Sequence, residues 1–452
     1  MIRIKRGLDL PIAGRPEQSI DAARPARQVA LLGPDYIGMK PTMLVAEGDR
    51  VRLGQPMFED KKTPGVMYTA PATGTVSAID RGAKRVLHSV VIDVDAQAEV
   101  DGDVESFDSI GPDRIAAAER EAIEATLLAT GLWTALRTRP FSCVPEPGSQ
   151  PHSIFVTAID TQPLSADPAV VIAEQREAFG HGLDVLARLT DGPVFLCTAP
   201  GADVPTGSDA RIRQEEFAGP HPAGLAGTHI HRLDPVGPGR TVWTIGYQDV
   251  IAIGATLTTG RLFTERVVAL GGPPVTRPRL LRTRLGVSVD ELVAGEAEGP
   301  ELRAISGSIL SGHTARGALA FLGRYHQQVS MLAEDREREM FHYLRAGKDK
   351  FSVFPVYLSR LLGRRQFDLT TSANGSPRAM VPIGTFERVV PLDILPTQLL
   401  RALLVEDLDT AIALGCLELD EDDLALCTFA CPGKYEYGPV LRATLNRIQK
   451  EG

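Results

Sequence analysis

The chain has 452 residues, 43% hydrophobic and 23% charged, the make-up of a globular protein too long for one ordinary core. A formal net charge of -9 with no basic tail excludes nucleic acid as the partner. No run of about 18 apolar residues could span a bilayer, MIRIKRGLDLPIAG holds no apolar signal region, and five cysteines suit a reducing, cytosolic setting.

Residues up to about 100 read as β structure punctuated by Gly and Pro. Val45-Ala-Glu-Gly-Asp-Arg-Val-Arg-Leu-Gly-Gln-Pro-Met-Phe58 and the return Ala70-Pro-Ala-Thr-Gly-Thr-Val76 resemble the barrel-sandwich fold of biotinyl and lipoyl domains. Lys61 and Lys62 lie between them. A carrier lysine stands alone at a hairpin tip, whereas here two lysines run into Thr63-Pro-Gly65, so a plain structural hairpin is expected.

Asp113 opens a helix signal rich in Ala, Glu and Leu that runs to Thr130, and Gly131 is placed to close it as a left-handed cap. From there to about 255, helix and strand alternate: Ile154-Phe-Val-Thr-Ala-Ile159 as a buried strand, one long helix from Ala169 to Leu189, Val194-Phe-Leu-Cys197 as the next strand, and extended structure from Thr241. Such alternation predicts a mostly parallel α/β sheet. The stretch Gly131–Pro147, GLWTALRTRPFSCVPEP, has the position of a ligand loop but the wrong content. A phosphate or isoalloxazine cradle needs glycines, because only a residue without Cβ lets backbone N–H groups approach closely. Leu136, Arg137, Thr138 and Arg139 stand there instead.

His221, His229 and His231 gather in Pro220-His-Pro-Ala-Gly-Leu-Ala-Gly-Thr-His-Ile-His231. The i, i+2 pair His229 and His231 would share one face of a strand, but no third ligand completes a metal set, so structural histidines are expected. Further on, Ser288-Val-Asp-Glu291 reads as a capping box, and Gly307 and Gly312 fit turns. A charged helix is expected from Leu332, and Leu399, Leu400, Leu403 and Leu404 predict helices near the end. Asp420-Glu-Asp-Asp423 crowds acids where a helix N-terminus welcomes them. Lys348–Arg365 brings Phe351, Phe354, Tyr357, Leu358, Leu361 and Leu362 to near-helical spacing between basic ends, with Pro355 breaking the helix near its start.

Leu424-Ala-Leu-Cys-Thr-Phe-Ala-Cys-Pro432 ends in Cys-x3-Cys-Pro, half of a bacterial [4Fe–4S] run. The two further ligands would fall at Glu421 and Leu424, and leucine cannot ligate iron. Cys143, Cys197 and Cys416 are distant or off the spacing, so Cys427 and Cys431 are expected to be reduced structural thiols.

GLWTALRTRPF, with the ends MIRIKRGLDLPIAG and CPGKYEYGP, resembles the A-subunit family of the Na+-translocating NADH:quinone oxidoreductase over nearly the whole chain. That family is similar to the NADH- and FMN-binding subunit of respiratory complex I and to the C subunit of the Rnf complex. Those relatives carry a glycine run ending in Gly-Phe-Pro, of which Phe141 remains here, and Glu-x-Glu-Pro after the first strand, where Asp160-Thr-Gln-Pro163 has lost the second acid to Gln162. They also keep the iron–sulfur cluster. The resemblance implies a multidomain α/β chain in four parts: a barrel-sandwich domain over 1–105, a Rossmann-like α/β domain without the glycine loop over 106–255, a ubiquitin-like β-grasp (SLBB-like) domain over 256–330, and a C-terminal helical bundle with a degenerate iron–sulfur motif over 331–452.

It further implies a peripheral subunit on the cytoplasmic face of the bacterial inner membrane, partnered by the membrane subunits and close to ubiquinone. Such a subunit supports quinone reduction by NADH coupled to Na+ export. NADH, flavins, Fe–S and quinone belong to the whole complex, and none is expected on this chain. No catalytic, cofactor-binding or metal-ligating residue is named. The competing readings are an NADH/FMN dehydrogenase module of a related electron-transport complex, and a non-catalytic scaffold or metal-binding protein.

Overall fold

A computed structural model describes residues 1–237, 239–336, 346–363 and 365–451. Two antiparallel sheets of four and three strands make up the first module. The larger runs in the order Gln28–Leu32, Leu87–Val94, Gly74–Arg81, Arg50–Val51, and the smaller holds Pro41–Met43, Pro56–Asp60 and Met67–Thr69. Alternation along these strands sends Val51, Phe58, Tyr68, Val76, Val90 and Ile92 inward. Lys61 and Lys62 follow the Pro56–Asp60 strand, and the Lys62 ammonium donates to the Gly38 carbonyl at 2.7 Å. The chain's first strands pair elsewhere: Ile2–Arg3 lies parallel to Ile212–Ala218, and Glu17–Ala22 lies parallel to Arg279–Arg284.

The second module is built on a six-stranded sheet in the order Ile2–Arg3, Ile212–Ala218, Val194–Thr198, Ile154–Ala158, Val242–Gly246, Arg137–Arg139. All neighbours are parallel except the last pair. From the central Ile154–Ala158 strand the chain moves outward on one side, then crosses to Val242–Gly246 on the other. The order therefore reverses between these two strands, and their carboxyl ends open a crevice. Helices Arg176–Arg188 and Tyr247–Thr259 cross so closely that a Cβ on Gly182 would sit 2.0 Å from the Val250 carbonyl oxygen, and one on Gly254 1.9 Å from that of Ala178. Trp133 and Trp243, both buried and 5.4 Å apart, join one continuous core that also takes in the first module.

Several local expectations change. The long helix from Ala169 is two, Pro168–Ala173 and Arg176–Arg188, interrupted at Glu174 and Gln175. Glu174 is turned to an ion pair with Arg282 at 2.7 Å. The helix opened by Asp113 is a 3-10 turn, Pro112–Ala117, and then an α-helix, Arg120–Thr130, closed by Gly131 at φ 75° as expected. The supposed ligand loop is not a loop: Leu132–Ala135 is a 3-10 turn and Arg137–Arg139 an edge strand paired to Val242–Thr244. The histidine run is helix Ala226–Leu233 rather than strand, entered through a turn at Pro220–Leu225. Leu332 and Ala333, where the charged helix was expected to begin, instead end a strand, Gln328–Ala333; residues 337–341 of that expectation lie outside the described residues.

A second six-stranded sheet, five of its strands beyond residue 264, runs His313–Thr314, Leu302–Ser306, Gln328–Ala333, Glu265–Gly271, Arg279–Arg284, Glu17–Ala22. A short helix, Val289–Val293, packs on it through Val289 and Leu292. Ser288 caps that helix by accepting from Glu291 N–H at 3.4 Å. Glu291 does not close the reciprocal half of the box: its carboxylate takes the Arg27 N–H at 2.9 Å. The C-terminal helices Phe386–Val389, Pro396–Leu404, Leu408–Ala413, Ala425–Ala430 and Tyr437–Glu451 enclose their own core. Leu399, Leu400 and Leu403 are fully buried there, as their spacing predicts.

Candidate functional site

The crevice at the strand-order reversal is the mouth of a cleft of about 1000 Å³. Its walls come from every module: Pro34 and Asp35 from the first, Arg137, Arg139, Asp160, Gln162 and Tyr247 from the ends of the α/β strands, Gly307, Gly312, Tyr325 and His326 from the second sheet, and Asp420–Asp423 with Arg442 from the C-terminal helices. The edge strand explains how two arginines arrive here. Arg139 is buried, while Arg137 is partly exposed and lies over the Tyr325 ring at 4.4 Å. Tyr325 in turn donates its hydroxyl to the Thr134 carbonyl at 2.8 Å.

The acidic stretch that crowds a helix start does so as a 3-10 turn, Glu421–Leu424, with a capping box between Asp420 and Asp423. This turn points its carboxylates at the arginines. Asp420 meets Arg139 at 3.1 Å, Arg442 at 2.6 Å and Arg137 at 3.6 Å. Asp423 lies 3.6 Å from Arg139, and Glu421 takes Arg442 at 2.5–2.6 Å. Gln162 donates to both oxygens of Asp422 at 3.0 Å. Thus the residue that stands in place of an acid after the central strand hydrogen-bonds an acid supplied 260 positions later.

The electrostatics of the cleft follow from burial. Burial acts to raise Asp420, but Arg139, Arg137 and Arg442 hold it well below the ordinary carboxylate range. Asp160, Asp423 and Glu421 go the other way, each raised by burial to about 7, and Asp35 is raised by burial to about 6. Burial lowers His326 to about 3, so it lines the cleft as a neutral ring bonded to the Ser306 hydroxyl at 2.9 Å. Among the described residues, seven carboxyl groups line the space (Asp35, Asp160, Asp420, Glu421, Asp422, Asp423 and Glu436) against three arginines.

That balance decides which ligands fit. A phosphate entering here would meet a surplus of carboxyl groups, with Arg442 held by Asp420 and Glu421, and Arg139 bonded to Asp420 through one nitrogen while its buried Nε and Nη1 have no hydrogen-bond partner. The N-terminus of helix Ala226–Leu233, which would favour an anion, has the Asp423 carboxylate against it: a Cβ on Gly227 would lie 2.3 Å from that oxygen. Seven carboxyl groups against three arginines disfavour FMN and the phosphates of NADH.

Nor do the cysteines fit a cluster. Cys427 and Cys431 are buried in the C-terminal core, and Cys431 Sγ lies 3.2 Å from the Tyr437 hydroxyl. Burial pushes the Cys427 thiol far up, away from the thiolate a metal needs. Among the described residues no group of three His, Cys, Asp or Glu side chains is arranged to hold a metal ion. The three histidines face separate partners: His221 the Thr161 hydroxyl at 3.1 Å, His229 the Ala223 carbonyl at 2.9 Å, and His231 Glu418 at 2.7 Å.

Three regions match known domains: residues 2–95 the NqrA N-terminal barrel-sandwich hybrid domain, 118–262 the NqrA second alpha/beta domain, and 267–317 the NQRA C-terminal domain. Over 452 residues the chain is 61% identical to NqrA, the A component of the Na(+)-translocating NADH-quinone reductase, of Cellvibrio japonicus, covering 100% of both chains. The chain belongs to the NqrA family. The same protein of Pseudomonas aeruginosa strain UCBPP-PA14 is 62% identical, and that of Saccharophagus degradans 59%, each over 100% of both chains. With these relatives the family is multidomain α/β, as the sequence implied, with a barrel-sandwich domain first and an α/β domain second. Among the described residues of this NqrA chain, no helix is long and apolar enough to cross a membrane.

Sequence reading identified Gln162, Arg137, Arg139 and the acidic turn, each as an isolated oddity. It missed Arg442, Tyr325 and Asp35, which carry no local signal. Only the fold brings them to one cleft.

Proposed function

We propose that the chain is the peripheral NqrA component of a Na+-translocating NADH:quinone reductase, seated on the cytoplasmic face of the bacterial inner membrane against the membrane subunits. There it supports quinone reduction by NADH coupled to Na+ export, while NADH, the flavins and the iron–sulfur centre are handled by other components of the complex. Identity of 59–62% with NqrA relatives over the full length carries the assignment. The acidic cleft supports the second half, because its surplus of carboxyl groups disfavours phosphates. Leu32, Ile37, Ile159, Leu310 and the Tyr325 ring leave apolar wall for an uncharged ring such as that of ubiquinone.

We further infer a division near residues 105, 255 and 330 into barrel-sandwich, Rossmann-like, ubiquitin-like β-grasp and helical-bundle parts. The reversed parallel strand order, the mixed sheet with its packed helix and the separate helical core support it. Descent shared with the FMN-binding subunit of complex I and the Rnf C subunit is read from Phe141, Gln162 and the half motif Cys427-x3-Cys431. Depleting the assembled complex of this chain tests the assignment. NADH oxidation by an artificial acceptor should persist, while quinone-coupled Na+ transport should fall and return on adding the chain back. Failure of add-back to restore transport would contradict it.

A further inference from the structure

Large apolar side chains that a fold leaves in water are usually scattered. Here, among the described residues, six of the twelve exposed ones, Val356, Leu358, Leu361, Leu362, Val381 and Ile383, fall within one stretch of the C-terminal module. Leu361 is 82% exposed and Val356 68%. The stretch is held in place rather than loose. Phe351 packs against Phe367 and Phe429, Val353 and Met380 rest on the C-terminal helical core, and Ser359 donates to the Lys350 carbonyl at 2.6 Å. Its charge also stands apart: residues 346–388 hold seven basic and three acidic side chains in a chain whose net charge is -9. Exposed Arg360 and Arg365 flank Leu361 and Leu362. Arg364, the third arginine of the run, lies outside the described residues.

We propose that this face docks onto another protein component of the same complex, through an apolar patch rimmed by carboxylates on that partner. The inference rests on the NqrA assignment above. Local geometry favours a protein over a lipid surface. A membrane-lying element needs a long amphipathic helix to spread its apolar side across the headgroups. The only helical structure from 346 to 363 is the 3-10 turn Leu358–Leu362, so the near-helical stripe of the sequence is not a continuous helix. A fixed knob of leucines between arginines matches instead the anatomy of an interface core with a charged rim.

The test uses complex stripped of this chain, with purified chain added back at low and high salt. The parent should rebind. Leu361→Ser/Leu362→Ser should weaken rebinding at both salts, and Arg360→Glu/Arg365→Glu should weaken it at low salt by about ten-fold or more. Because Arg365 also pairs with Asp349 at 3.0 Å, melting curves of each variant are recorded beside its binding. A single Leu361→Cys chain serves where folding suffers: maleimide should label it when free and fail to label it in the complex. If the parent itself does not rebind, the proposed place of this chain in the complex fails, and the docking proposal with it. If the parent rebinds while both double variants match it and Leu361→Cys stays reactive, this face is not the dock. If the parent binds anionic phospholipid vesicles as tightly as the complex, and the same substitutions abolish that binding, the occupant is a bilayer and the proposal is overturned.

Discussion

Asp160 sits at the carboxyl end of the central strand, where its carboxylate takes the Gln162 N–H at 2.8 Å. Burial raises it from 3.8 to about 7, so the folded state binds its proton more tightly than the unfolded chain does. Its stabilising contribution is fully present below about pH 4 and is lost as pH rises through about 7. Asp160→Asn keeps an oxygen for the Gln162 N–H and removes the charge. The variant should therefore exceed the parent in stability by about 1–3 kcal/mol at pH 8, with a smaller gap at pH 5, by urea unfolding. Arg139→Met is the opposite case. It removes the 3.1 Å partner of buried Asp420, which keeps Arg442 at 2.6 Å, and a loss of about 1–3 kcal/mol is expected in the same assay at pH 7. Asp423→Asn should cost much less, because Asp423 already titrates near 7. Individual residues were legible in part. The sequence marks Gln162 as a departure from an acidic pattern, but its partner Asp422 is remote in the chain, and no local rule links them.

Elements were legible where their period was strong and uninterrupted. The buried strands Ile154–Ala158 and Val194–Thr198 and the leucine-spaced helix Pro396–Leu404 follow directly from apolar patterning. Elements set by pairing were not. Leu136-Arg-Thr-Arg139 reads as a loop because its neighbours are turns, yet the exposed edge beside Val242–Gly246 draws it into the sheet. His229 and His231 read as a strand pair because i, i+2 spacing suits one, but the segment is helical. There His229 is buried against Phe217 while His231 reaches Glu418 and takes the Asp393 N–H. The half motif at Cys427 now belongs to helix Ala425–Ala430, inside the C-terminal core. Cys427→Ala should accordingly cost on the order of 1 kcal/mol, read as a lower melting temperature, and leave quinone-linked electron transfer in the reassembled complex intact. Lost activity with an unchanged melting temperature would assign the thiol a chemical role.

At the scale of the molecule, one cleft gathers the carboxyl ends of a parallel sheet, a turn of a second sheet and an acidic turn from the C-terminal helices. Open α/β sheets hold ligands at such a place, and here seven carboxyl groups and three arginines line it. The order of a barrel-sandwich domain and then an α/β domain was readable through the family resemblance, whereas the cleft was not, since its walls come from segments far apart in the sequence. We propose that the chain shapes and supports electron transfer without carrying a redox centre. Flavin and iron content of the chain purified alone under anaerobic conditions, with FMN then added and its fluorescence followed, tests this most directly. Flavin and iron should stay at background and added FMN should remain free in solution; stoichiometric FMN or iron on the chain would contradict it.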